Sequence, residues 1–483
     1  MNREPIRLTD EQMRTFVTEG FLILKTDFPA SFHEAMTQEL HRVYTEEGNP
    51  GNNLLPRIRE IQQVFDHPII TGALTSVLGP NYMLHAHRHG HYNAQPTAGG
   101  WHKDSYWGYN KMRHHHPWWA MIMYFPQDTP IELGPTGILP GTQNYETRTF
   151  VSDEVEGEGY ASGQAGTFAL IHYDIWHRAT ANILGKPRYM LKFEFMRTAA
   201  PTEPSWNCSD LQWREPAQAT LPIARHEAMW EDTWNWLTGR TGSLADTAEP
   251  KEEQITHLAA ELRNGFEPIA LNAAYELARY GVEGIAALLK GLYDESIAVS
   301  RAAAYGLAAA GAGAVSWLSA ALDDERDETV QHAAFALGEL GTLAGSTVPK
   351  LSALLSHRSP AVRSAAVESL GMIGSRAGSR AGSEAQAKDY VADAVSALIR
   401  ALQDSDVQTR FMAGLALSRI GRDAAAAVPA LAAVLDDDNR YVRAHALEAL
   451  RYIGTEEAKD VLIHSLFQAR WCVTTTPANT FYP

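Results

Sequence analysis

Two periodicities divide the 483-residue chain. From about residue 250 onward, apolar residues recur at the spacing of a helix face, in Ala- and Leu-rich segments that each end on a glycine. The endings are ELARYG at Gly281, GLAAAG at Gly311, ALGELG at Gly341, SLGMIG at Gly374, ALSRIG at Gly421 and ALRYIG at Gly454. The steps between them are 30, 30, 33, 47 and 33 residues. The later units share a core: SPAVRSAAVESLGMIG, SDVQTRFMAGLALSRIG and NRYVRAHALEALRYIG. In each, a polar turn is followed by Val and then Arg, at Arg363 and Arg443, with Arg410 shifted by one place. A unit this small cannot bury its own apolar face, so the pattern predicts stacked helix–turn–helix repeats over residues 250–470. The long step contains SRAGSRAGSEAQAKD, which reads as a loop insert. Residues 471–483 follow as a tail. Its Trp471, Phe481 and Tyr482 are costly to leave in water, so the tail is expected to dock on folded structure.

Residues 1–245 follow other rules. LTDEQMRTFVTEGFLIL predicts a helix capped by Thr9 with Gln12 as capping-box partner, stopped at Gly20 and followed by a short apolar strand. A second amphipathic helix is expected over about residues 30–46. From about residue 80 the pattern turns to short strands: YMLHAHRHGHYN, WWAMIMYFP, TGILPG, GTFALIH and RYMLKFEFMR. Many short strands between Gly/Pro turns predict a sandwich or jelly roll.

Composition narrows the class. The length points to two or three domains, and 45% hydrophobic with 20% charged residues describes a folded, soluble protein. A formal net charge of -16 argues against non-specific nucleic-acid binding, which needs clustered Lys and Arg. Cys208 and Cys472 stand far apart, so neither a disulfide framework nor a thiolate zinc site is expected. The opening MNREPIRLTDEQ has no apolar h-region, and no apolar run is long enough to cross a bilayer. A cytoplasmic location is the expectation.

The chemistry gathers in two motifs. GGWHKDSYW places His102 and Asp104 two residues apart, and HYDIWHRATAN supplies His177. Two imidazoles and one carboxylate can close a triangular face of a non-haem iron(II) ion and leave its other positions open. H-x-D alone occurs often by chance, but its context is specific. LTDEQMRTFVTEGFLIL, WHKD, GPTGILPGTQ and HRATANILGKPR together resemble the phytanoyl-CoA dioxygenase family over roughly residues 7–200. The repeats resemble HEAT repeats. The first resemblance implies a double-stranded β-helix, a jelly-roll or cupin-like oxygenase domain with flanking helices, followed by an α-helical HEAT solenoid. It implies iron(II) on His102, Asp104 and His177, with 2-oxoglutarate and dioxygen as cosubstrates. It also implies that Arg188, eleven residues after His177 and beyond Asn182, pairs with the distal carboxylate of 2-oxoglutarate. A planar guanidinium suits that bidentate task.

Strand alternation places His85, His87, His89, His91 and Asn93 on one face. The resemblance makes Asn93 the candidate for a further contact to 2-oxoglutarate, and His89 and His91 candidates for substrate. A zinc site along one straight strand is not expected, since four such ligands cannot surround a tetrahedral ion. Trp107 and Trp119 are candidate pocket walls among the aromatic residues near the motif. His114, His115 and His116 read as a surface loop, and Lys103 should point away from the metal that its neighbours face. The implied reaction is hydroxylation of an unactivated C–H bond of a small molecule, with desaturation or cyclisation as other outcomes. The presence of Asp104 disfavours halogenation. Two other readings stand beside this one: an oxygenase acting on a protein or carrier-bound substrate recruited by the repeats, and a HEAT scaffold with a non-catalytic oxygenase domain.

Overall fold

The computed structural model describes residues 4–104, 112–375 and 384–468. Trp107, the Gly/Ser/Arg insert and the tail from residue 471 lie outside the described residues. The chain forms two compact units. One takes in the chain up to Arg197 together with Pro204–Arg225, and the other takes in Thr198–Glu203 and the chain from His226.

The first unit opens as the sequence expects. Helix Asp10–Glu19 has a reciprocal capping box between Thr9 and Gln12 and ends at Gly20 in the left-handed conformation. Strand β1 (Phe21–Lys25) and helix Ala30–Glu46 follow. Short helices over Leu54–Arg57, Glu60–Phe65 and Pro68–Leu78 were not legible in the apolar pattern.

Seven more strands come next: β2 (Met83–Asn93), β3 (Trp119–Tyr124), β4 (Thr136–Ile138), β5 (Gly159–Tyr160), β6 (Thr167–His172), β7 (His177–Ala179) and β8 (Arg188–Met196). They form two antiparallel sheets, ordered β1-β6-β3-β8-β2 and β5-β4-β7. From β3 to β8 the chain crosses repeatedly between the sheets, which is the connectivity of a double-stranded β-helix.

The register fixes what faces what. His89 pairs with Lys192, His91 with Met190 and Asn93 with Arg188, so these side chains share the inner face of the large sheet. Between Leu84 and Arg88 the register shifts through a bulge, by two residues, and the alternation resumes in phase beyond it. The outer face carries Tyr189, Phe193 and Phe195. Phe65 meets Phe193 edge-on with centroids 4.6 Å apart, and Tyr44 packs on Tyr189 at 5.4 Å. The helices thus supply the apolar cover, and the polar alternate positions of β8 turn inward.

In the second unit, paired helices repeat from Glu252 to Gln468. Gly281, Gly311, Gly341, Gly421 and Gly454 all have positive φ, which explains the glycine that follows one helix of each of these pairs. Gly374 departs from the expected turn: it is the last residue of helix Pro360–Gly374, and the chain leaves through extended Ser375. The repeated arginines share one role. Arg363, Arg410 and Arg443 each donate from Nη1 to the carbonyl six residues back, at 2.9, 2.9 and 2.6 Å. Arg410 is therefore in register with the other two. Arg363 also grips Asp404 with two bonds of 2.7 and 2.8 Å, and Arg410 grips Asp437 at 2.8 Å, which ties successive repeats. No helix among the described residues is long and apolar enough to cross a membrane.

Candidate active site

The three expected ligands meet. The ligand atoms of His102, Asp104 and His177 lie within 4.8 Å of one another, and this is the one such cluster among the described residues. Main-chain bonds make the meeting. His102 N donates to His177 O, and His177 N to His102 O, both at 3.0 Å. This antiparallel bridge adds the H-x-D segment to the small sheet beside β7. The two imidazole centroids are 4.4 Å apart.

The histidines are held in the form a metal needs. His102 Nδ1 donates to Gly100 O at 3.0 Å, and His177 Nδ1 donates to Ile175 O at 3.0 Å. A carbonyl only accepts, so each Nδ1 carries the proton and each Nε2 presents a lone pair. Burial pushes the His177 pKa down to about 4; Asp104 opposes this, while His102 and Lys192 add to it. The ring is neutral at neutral pH. Burial alone would raise the Asp104 pKa, but His177, Lys192 and His102 outweigh it and hold the carboxyl well below its ordinary range. His102 is exposed, so the cluster opens to one side. Two imidazoles and a carboxylate with an open face fit a divalent iron ion.

Arg188 lies at the start of β8, on the inner face of the large sheet. Its Nε donates to Gly134 O at 3.0 Å, and its guanidinium sits 5.8 Å from the Phe125 ring centre. Gly134 has φ +74°, and a Cβ there would stand 2.7 Å from Thr180 O, so only glycine lets that carbonyl approach. Nη1 of Arg188 is buried without a hydrogen-bond partner. Burial lowers the Arg188 pKa to about 10, because taking a cation out of water disfavours its charged form. Asn182, fully buried, clamps the loop between His177 and Arg188. It donates to Asn93 O at 3.0 Å and Lys186 O at 2.7 Å.

The other candidates fall as follows. Asn93 faces Arg188, but its amide is engaged with backbone: Nδ2 donates to Thr180 O at 3.3 Å and Oδ1 accepts from Gln95 N at 2.9 Å. His91 is half-buried with an enclosed, unpartnered Nε2, and burial drops its pKa to about 2. His89 stacks between its neighbours, with centroids 5.5 Å from His87 and 4.9 Å from His91. Trp119 is buried and meets His85 edge-on at 5.4 Å.

Two features escaped the sequence reading. Lys192, four residues after Arg188, places Nζ 2.6 Å from Asp104 Oδ2. His114, His115 and His116 are buried, which corrects the surface-loop expectation. Their neighbour Arg113 explains it: it pairs with Asp174 at 2.7 Å and Glu146 at 2.5 Å, and draws the loop inward. Lys103 points the other way from the ligands beside it. Its Nζ donates to the carbonyls of Thr142, Gln143 and Asp174, tying the H-x-D segment to the strand turn before His177. Lys103→Met should therefore weaken metal binding roughly 10- to 100-fold, although no ligand is lost. Calorimetric metal titration checks this; unchanged affinity would show that the triad holds its shape without that tether.

Residues 16–190 match the phytanoyl-CoA dioxygenase family model, and residues 315–382, 380–451 and 395–471 match HEAT repeats. No curated protein matches the chain in sequence. Among solved structures, HygX from Streptomyces hygroscopicus, with nickel and 2-oxoglutarate bound, is 13% identical over 45% of this chain and 97% of its own, with a TM-score of 0.33. SnoK, a non-haem alpha-ketoglutarate-dependent carbocyclase from nogalamycin biosynthesis, is 14% identical over 46% of this chain and 97% of its own, with a TM-score of 0.33. At such scores the likeness assigns nothing. The family match and the topology together identify the chain as one that carries a phytanoyl-CoA dioxygenase domain followed by HEAT repeats.

Proposed function

We propose that this protein is an iron(II)- and 2-oxoglutarate-dependent oxygenase that hydroxylates an unactivated C–H bond of a small molecule. The observation that carries the reading is a His102/Asp104/His177 cluster tied to the inner face of β8, where Lys192 reaches Asp104 at 2.6 Å and Arg188, four residues earlier, holds a buried, unpartnered Nη1. A bridging ligand with one metal-binding end and one carboxylate end suits such a pair of sites, and 2-oxoglutarate has that form. Bound iron, with 2-oxoglutarate and dioxygen, supplies oxidative chemistry that yields succinate, carbon dioxide and a hydroxylated product.

The protein's own residues bind and orient. His102, Asp104 and His177 hold the metal. Arg188 takes the distal carboxylate, which its desolvated guanidinium binds more strongly than it would in water. Asn93 and Asn182 keep the strand ends around that arginine in place. His89, His91 and Trp119 form polar and aromatic walls that orient substrate. Asp104 fills the position a halide would need, which favours hydroxylation over halogenation.

The test is succinate formation by the full chain with iron(II), 2-oxoglutarate and air, across amino-acid-like, lipid-like and natural-product candidates. A candidate that triggers succinate release should gain one oxygen atom. A triggering candidate that loses two hydrogens instead would replace hydroxylation with desaturation or cyclisation. Absence of any iron-dependent succinate, with or without candidates, would sink the oxygenase reading.

A further inference from the structure

We propose that Lys192 is the resident counter-cation of the metal-free triad, and that metal loading moves its ammonium from Asp104 to Glu194. The inference rests on the reading that His102, Asp104 and His177 hold a divalent metal.

Lys192 lies on β8, with only 4% of its surface exposed. A buried ammonium must have a carboxylate beside it. It has two. Nζ is 2.6 Å from Asp104 Oδ2 and 3.9 Å from Glu194 Oε1. Glu194 is two residues along the same strand, so it shares the inner face, and it is fully buried. Its other oxygen, Oε2, is 3.2 Å from His85 Nδ1.

The oxygen that Lys192 holds is the one that faces the His177 ring. Asp104 Oδ2 is also 3.4 Å from His177 Nε2, inside the triad. An ammonium and a divalent ion cannot both sit on that oxygen in a buried site, because like charges at such a distance repel strongly where water is excluded. One must leave. The lysine stem is flexible, and a short rotation carries Nζ onto the Glu194 carboxylate already within reach. In the empty protein the ammonium neutralises Asp104. In the loaded protein the metal does so, and Lys192 neutralises Glu194. Lys192 is thus a positioning residue that sets metal affinity by competing for one carboxylate oxygen.

The test is a titration of chelator-stripped, full-length protein with cobalt(II) alone, without 2-oxoglutarate. Lys192→Met, and equally Lys192→Gln, should bind cobalt(II) at least about tenfold more tightly than wild type. A substitution that merely loosened packing would weaken binding, so the sign separates the two causes. Glu194→Gln should weaken binding at least about tenfold when Lys192 is present, and should change little in a Lys192→Met background. The proposal is overturned if both Lys192 variants bind cobalt(II) no more tightly than wild type. It is also overturned if Glu194→Gln carries the same penalty in both backgrounds. Wild-type protein that takes up no cobalt(II) at all would overturn the metal assignment itself, and this proposal with it.

Discussion

His177→Ala should remove metal binding and turnover together while leaving the fold in place. In the proposed site the side chain supplies one of three ligands, and two remaining ligands would not hold a labile divalent ion against dilution. Losing even an outer-shell partner typically costs metal sites 10- to 100-fold, so losing a ligand should cost at least about 100-fold. Alanine keeps the main chain, however, and the bridge between His102 and His177 is made by main-chain atoms at 3.0 Å. The metal-free variant should therefore melt close to the metal-free wild type. Metal titration and a thermal melt on the same sample check both halves. Turnover at the wild-type rate in His177→Ala would show that the metal, if any, sits elsewhere.

Arg188→Met should separate cosubstrate binding from stability in the opposite sense. Removing one partner of a buried, charge-assisted pair costs about 2–5 kcal/mol, which is roughly a 30- to 4,000-fold loss of 2-oxoglutarate affinity. Without 2-oxoglutarate, the guanidinium is a desolvated cation whose Nη1 has no partner and whose pKa is held down to about 10. At neutral pH the empty protein bears that whole desolvation cost. Methionine fills similar space without it. The ligand-free variant should then melt no lower than wild type, even though Gly134 O loses its bond from Nε. A site strained in favour of its ligand behaves this way. Calorimetric titration of metal-loaded protein with 2-oxoglutarate, beside a melt without it, reads both effects. Unchanged 2-oxoglutarate affinity would move the anchor to another residue.

The sequence alone determined what depends on local spacing. Thr9 and Gln12 stand three residues apart, so the capping box was legible. The short runs between Gly/Pro turns marked the strands, and the regularly placed glycines marked the repeats, five of them at positive φ, which glycine takes readily. His102 and Asp104 stood out as a candidate pair by their spacing, and His177 and Arg188 through their shared motif.

Tertiary structure decided everything that depends on which side of an element faces solvent. RYMLKFEFM alternates polar and apolar residues, a pattern shared by a half-exposed strand with its charges in water. In the fold every residue of β8 is buried. Helices over Ala30–Glu46 and Glu60–Phe65 cover the apolar side, and Arg188, Lys192 and Glu194 turn into the barrel. Alternation gives the period of a strand but not the identity of its wet face, so Lys192 could not be placed beside Asp104 in advance. The three consecutive histidines show the same limit. His114, His115 and His116 resemble a solvated loop by composition, and they are buried because Arg113 finds Asp174 and Glu146 from distant parts of the chain. Local pattern fixes spacing and propensity, whereas burial is set by partners far away in sequence.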